Sequence, residues 1–154
     1  MSIYYLDTSA LMKRYMPEKG TAWINELLSS GSSARFLSSE LVALELTTAL
    51  ARGERERRIS KAHRDRLAAQ AVKECDTLLL QTGVSTEIIA VARELALRYP
   101  LRAYDAIHLA TARAIRTQAS ALTVPPPVFV AADVTLLSAA REEGFSIENP
   151  NDHP

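Results

Sequence analysis

Four residues near the start of the chain, Ile3-Tyr4-Tyr5-Leu6, are apolar on both sides of a period-two alternation. A strand with one wet face would alternate apolar and polar residues, so this segment reads as a central strand covered on both faces. Cover of that kind comes from helices, and the chain begins to supply it at once. Asp7-Thr8-Ser9 carries helix-capping side chains, residues 10–15 continue as a short helix, and Pro17 stops it.

The same alternation recurs along the chain. Apolar residues at helical spacing mark 21–28, and Ser29-Ser30-Gly31-Ser32-Ser33 ends that pattern. A brief strand is expected at 35–37, an apolar-rich helix over 39–52, a turn at Gly53, and a polar, Arg-rich helix over 60–73. Residues 77–81 are strand-like, and 86–98 and 103–117 are helical on either side of Tyr99-Pro100. A short apolar run at 128–131 follows three prolines, a helix over 133–143 closes at Gly144, and 145–147 makes a last short strand. Short strands separated by helices predict an α/β domain around a parallel sheet, because parallel strands need crossover connections. The 154 residues are expected to form one domain over 1–148, with the polar, proline-flanked 149–154 as a tail that frays.

Eighteen basic residues balance eighteen acidic ones, so no long-range field draws the whole protein to a polyanion, and any such partner must be held by a local patch. The single cysteine, Cys75, excludes an intramolecular disulfide and a zinc site built on several thiolates. No apolar run approaches a membrane span, and no basic and hydrophobic leader precedes the first strand. The expectation is a cytoplasmic protein without a membrane partner.

In an open parallel sheet ligands bind outside the carboxyl ends of the strands, and Asp7 and Asp133 each follow a strand-like run. Each is equally well placed to cap the next helix. Asp105 falls in the first turn of its helix, where a carboxylate meets the helix dipole, but its face carries His108, Leu109 and Ala112. Glu45 sits in the middle of an apolar helix with no cap to make, and the plainer reading of it is a buried ion pair with an arginine from elsewhere. Were the four acids to converge, their mutual repulsion would call for hard cations such as Mg²⁺ or Mn²⁺. Carboxylate-bound divalent cations suit phosphodiester hydrolysis, since they lower the pKa of a water and stabilise a leaving oxygen.

Leu6-Asp7-Thr8-Ser9-Ala10-Leu11, Glu45 in its apolar helix, Tyr104-Asp105-Ala106-Ile107-His108-Leu109-Ala110, and Ala132-Asp133 before Leu136-Leu137 and Gly144 together resemble the PIN-domain family. More narrowly they resemble the VapC-type ribonuclease toxins of prokaryotic toxin–antitoxin pairs. The resemblance covers nearly the whole chain. It implies a compact three-layer α/β/α sandwich with a short central parallel sheet, Mg²⁺- or Mn²⁺-dependent endoribonuclease activity on an RNA such as tRNA, inhibition by a cognate antitoxin, and a homodimer. By position Asp7, Glu45, Asp105 and Asp133 correspond to the family's acidic cluster, with Asp7, Asp105 and Asp133 holding metal and Glu45 assisting or activating water. The chain departs from many relatives in carrying Ala131-Ala132, without Ser or Thr, ahead of the last aspartate.

Basic residues near these acids are the candidate substrate contacts. Lys13 and Arg14 lie one short helix from Asp7 and are expected to touch a phosphate. Between Arg52 and Arg66 seven basic residues face three acidic ones, a stretch that reads either as RNA-backbone attraction or as a solvated face laced with ion pairs. His108 could share a metal with Asp105 three residues before it, but a core or hydrogen-bonding histidine is the plainer reading. No phosphate loop and no Gly-rich dinucleotide motif is present, and Ser9 stands where a haloacid-dehalogenase-type phosphatase needs a second aspartate. The alternative to a nuclease is a PIN-like module that binds RNA or protein without cleaving.

Overall fold

Strand β1 (Ser2–Leu6) lies at the centre of a five-stranded, wholly parallel sheet in the order β3-β2-β1-β4-β5. The computed structural model describes residues 1–29 and 33–153; residues 30–32 of the expected Ser/Gly linker and Pro154 lie outside them. After β1 come α1 (Thr8–Tyr15), α2 (Thr21–Ser29), β2 (Ala34–Ser39), α3 (Val42–Arg55), α4 (Lys61–Leu78) and β3 (Leu79–Thr82). The second half runs α5 (Thr86–Arg98), α6 (Ala103–Ala121), β4 (Val128–Val130), α7 (Val134–Glu142), β5 (Ile147–Glu148) and a 3₁₀ turn at Pro150–Asp152.

The alternation of β1 sorts its side chains into two cores. Tyr5 joins Leu95, Leu109, Phe129 and Leu136 beneath α5, α6 and α7. Leu6 points the other way, into a cluster with Ile24, Phe36, Leu46 and Leu50 beneath α1 to α4. The result is the expected α/β/α sandwich. Each fully buried aliphatic side chain contributes on the order of 1.5–3 kcal/mol to holding the layers together.

Element ends shift by a few residues, the last strand being Ile147–Glu148 and α3 starting at Val42, and three differences from the sequence expectation bear on packing. Gly53 makes no turn; it is buried inside α3, close to the Met16 side chain, and the helix runs on to Arg55. α4 is capped by the Ser60 side chain and continues through Leu78, so β3 starts at Leu79. Residues 149–153 pack against the domain where a loose tail was expected: Pro150 is buried, Asn151 accepts a hydrogen bond from Lys13 Nζ at 2.7 Å, and the His153 ring stacks on Trp23 at 4.3 Å.

The chain order departs from β1 in both directions, to β2 and β3 on one side and later to β4 and β5 on the other. The crevice between the carboxyl ends of β1 and β4 is therefore the switch point where such sheets bind ligands. Leu6 pairs with Val130 there, which places Asp7 and the turn leading to Asp133 side by side.

Candidate active site

Asp7 and Asp133 do cap the helices that follow them, as the plainer reading holds. Asp7 Oδ2 accepts from the Ser9 backbone N–H at 2.9 Å and Asp133 Oδ1 from that of Leu136 at 2.9 Å. A carboxylate has two oxygens, so capping with one leaves the other for a second task. Ser9 joins the two turns: its hydroxyl donates to Asp7 Oδ2 at 2.5 Å and accepts from the Ala132 N–H at 2.9 Å. The missing Ser or Thr before Asp133 is thus matched by a hydroxyl arriving from α1.

Glu45 is partnered by a histidine rather than by an arginine. His108 Nε2 lies 2.6 Å from Glu45 Oε1, 3.3 Å from Thr8 Oγ1 and 3.7 Å from Asp7 Oδ1, while Nδ1 lies 2.8 Å from the Tyr5 hydroxyl. A carboxylate only accepts, so Nε2 carries the proton it shares with Glu45, while Nδ1 bonds the Tyr5 hydroxyl. Burial alone would lower the His108 pKa, but the charges of Asp7 and Glu45 outweigh it and raise it. Buried on α6, His108 draws the acids of α3 and β1 together, which accords with the hydrogen-bonding reading of that residue.

Asp7, Glu45, Asp105 and Asp133 line one cleft of about 590 Å³. The Asp105 pKa is raised, first by burial and then by the charge of Asp7, with Arg102 working in the opposite direction. Arg102 reaches Asp105 at 3.3 Å and Asp133 at 4.0 Å although its side chain is 82% exposed. Sequence reasoning passed over Arg102, whose signal was its place three residues before Asp105. It also passed over Arg52 as a cleft residue: Glu45, Thr48, Ala49 and Arg52 recur at helical spacing and all line the cleft.

Lys13 and Arg14 are not brought to the cleft. Lys13 is buried, and its ammonium donates to Glu18 Oε1, the Lys19 carbonyl and Asn151 Oδ1. Arg14 makes a two-pronged bond to Glu74 at 2.6 and 3.0 Å and donates to Asn25. A short helix carries these neighbours in sequence onto its far side, where both charges are consumed within the fold. Two of the seven basic residues between Arg52 and Arg66 are likewise spent on ion pairs, Arg64 with Glu54 and Asp65, and Arg58 with Glu56. Burial pushes the Cys75 thiol up to about 11, which suits an inert core residue.

A PIN-domain family model matches residues 4–124. The chain belongs to the PIN-domain family. Its fold is similar to FitAcB from Neisseria gonorrhoeae, with a TM-score of 0.60 and 15% identity over 96% of this chain and 97% of that one. It is also similar to a DNA-bound VapBC from Salmonella typhimurium, with a TM-score of 0.58 and 17% identity over 97% and 99% of the two chains. A toxin–antitoxin complex from Klebsiella pneumoniae gives a TM-score of 0.58 and 14% identity over 96% and 97%. No curated protein matches the sequence.

The donor chemistry of this PIN domain fits a hard divalent cation. Among the described residues no three Asp, Glu, His or Cys side chains stand close enough together to grip an ion as they are. What the cleft does gather is all-oxygen carboxylate charge, the kind of donor set that hard divalent cations take.

Proposed function

We propose that this PIN domain is a Mg²⁺- or Mn²⁺-dependent endoribonuclease, acting in the cytoplasm as the toxin of a toxin–antitoxin pair and held in check by a cognate antitoxin protein. The observation that carries the reading is the convergence of Asp7, Glu45, Asp105 and Asp133 on one cleft at the switch point of the sheet. The likeness to FitAcB and VapBC supports the toxin assignment, and the family supports the nuclease.

Asp7, Asp105 and Asp133 would hold the metal. When bound, a divalent cation lowers the pKa of a water and stabilises charge on the phosphate and leaving oxygen. Glu45 keeps Oε1 on His108, which orients the carboxylate, and makes no hydrogen bond through Oε2 among the described residues. Oε2 is therefore the atom that takes the proton of the attacking water. Asp7 is fixed by Ser9 and by the fold around β1, so its second oxygen is aimed before any ligand arrives.

Cleavage of a panel of structured RNAs, tRNA included, by the purified chain in Mg²⁺ or Mn²⁺ tests this reading against EDTA and an Asp7→Asn variant. Asn is a good helix cap, so the variant should keep its fold within about 1 kcal/mol while losing the charge. Cleavage that requires both metal and Asp7, with a loss of at least about a hundredfold in the variant, is the expected result. Equal inactivity of both proteins with equal RNA binding would sink the nuclease and favour a non-cleaving module.

A further inference from the structure

The imidazole of His108 is fully buried, and its two nitrogens face different elements of the fold. Nδ1 bonds the hydroxyl of Tyr5 on β1 at 2.8 Å, and Nε2 stands 2.6 Å from Oε1 of Glu45 on α3, with Thr8 Oγ1 at 3.3 Å. Tyr5 also meets the imidazole edge-on, ring centroids 5.9 Å apart, and is itself stacked on Phe129 at 5.3 Å. Tyr5 is thus fixed by the apolar core, His108 by Tyr5, and Glu45 by His108. A contact that only tied α6 to the sheet would need none of this, because an aliphatic side chain fills a buried layer without calling for polar partners. A ring bonded at both nitrogens, one of them to an acid that lines the cleft, sets the direction of a carboxylate.

Resting on the nuclease reading above, we infer that Tyr5 and His108 are positioning residues for Glu45: the series Tyr5–His108–Glu45 carries the order of the core into the cleft and fixes which carboxylate oxygen is free for the water. Neither ring touches substrate, since both are fully buried. Their effect passes through Glu45, because Nε2 lies 3.7 Å from Asp7 Oδ1, outside hydrogen-bond reach. While Oε1 is engaged by the imidazole, Oε2 keeps one place. Without that bond the carboxylate turns about its last torsion, whose wells are broad, and Oε2 meets the water only part of the time. A base acts only within hydrogen-bond reach of the proton it takes, so lost aim lowers kcat and leaves substrate affinity alone.

The test compares wild type with His108→Leu, His108→Gln, Tyr5→Phe and Glu45→Gln in single-turnover cleavage of a structured-RNA panel, with His108→Leu and Tyr5→Phe also made in the Glu45→Gln background. Circular dichroism checks that each variant is folded. Gln can set an amide N–H where Nε2 stands, whereas Leu fills the space and offers none. His108→Leu should lower the maximal rate about ten- to a hundredfold without raising the RNA concentration needed for half of it, and Tyr5→Phe should cost about three- to tenfold. His108→Gln should recover most of the rate. In the Glu45→Gln background neither change should cost anything further, because the group they position is already gone. In the metal-free protein, proton NMR should show a slowly exchanging ring N–H that is lost in His108→Gln and displaced in Glu45→Gln.

If wild type cleaves and a folded His108→Leu cleaves equally fast, or loses as much with Glu45→Gln as without it, His108 only ties the layers together; the inference falls and the nuclease stands. A loss that saturating Mn²⁺ restores would overturn it too, since the ring would then serve Asp7 and the metal. So would a His108 ring proton that ignores Glu45→Gln. Where His108→Leu does not fold, Tyr5→Phe decides, its loss having to vanish in the Glu45→Gln background. A wild type that cleaves no RNA in any metal removes the nuclease, and with it the base that the two rings would position.

Discussion

Arg102 and His108 stand on opposite sides of the same cluster: each sets an N–H donor beside a pair of acids. His108 does so from inside, between Glu45 and Asp7, where no solvent competes. Arg102 does so from outside, between Asp105 and Asp133, on a side chain that is mostly in water. An exposed ion pair is worth at most about 1 kcal/mol, so Arg102 is a weak competitor for a divalent cation. Arg102→Gln should therefore lower the metal concentration needed for half-maximal cleavage, by no more than about fivefold, in a Mn²⁺ titration. A rise in that concentration would mean that Arg102 helps to build the site and does not compete for it. The four acids were legible less one by one, since Asp7 and Asp133 also read as ordinary caps, than as a set, in an order and setting that resemble the PIN-domain family. Arg102 belongs to no such set, since an exposed Arg near a helix start is ordinary. Lys13 and Arg14 misled because proximity in sequence says nothing about which side of a two-turn helix a long side chain takes.

At the scale of elements, the glycines show where local signals and packing part company. Gly53 reads as a turn, yet α3 passes straight through it because the Met16 side chain packs against that point of the helix. A Cβ there would sit 3.3 Å from Met16 Sδ, a flexible neighbour that can give way. Gly53→Ala should leave stability unchanged or raise it by up to about 0.5 kcal/mol through helix propensity. Gly20 is the opposite case: its φ is +88° and a Cβ would collide with the Pro150 carbonyl oxygen. Gly20→Ala should cost about 2 kcal/mol or more in urea denaturation. The link between α1 and α4 makes a prediction about pH. Arg14 holds the Glu74 carboxyl down at about 2, against the cost of its partial burial, and Tyr15 and Gln70 add hydrogen bonds to it. A depressed carboxylate stabilises the fold fully above its unfolded pKa and loses that contribution as pH falls through its folded one. The stability gap between wild type and Glu74→Gln should accordingly be about 1–3 kcal/mol and flat above pH about 5, then close toward pH about 2. Strand and helix identities were readable from periodicity throughout, whereas ends set by packing, such as the run of α4 through Leu78, were not.

Taken as one molecule, the protein is closed by residues that its sequence marks as a loose end. Composition alone argues for fraying after Glu148, because Asn149-Pro150-Asn151-Asp152-His153 has almost nothing apolar to bury. The structure instead spends those residues on a demand raised far away in the chain. Lys13 is buried on α1, and its three ammonium protons need three acceptors. Glu18 and the Lys19 carbonyl supply two, and Asn151 supplies the third at 2.7 Å. A buried ammonium short of an acceptor is costly, so the C-terminal turn is held in place by α1 and holds it in return. His153 completes the closure by lying flat on Trp23 of α2 while pairing with Glu148 at 3.1 Å. Asn151→Ala should leave one proton of a buried ammonium without a partner and cost about 1–3 kcal/mol in urea denaturation. Lys13→Met removes the demand along with the charge, so Asn151→Ala should cost much less in that background; additive losses in the double variant would show that the contact carries no energy. Trp23 is the only tryptophan, so its fluorescence reports the loss of the His153 stack separately from global unfolding. Because Asp7 caps the other end of α1, the acid cluster should keep its metal response in these variants even as stability falls, separating what closes the molecule from what works in its cleft.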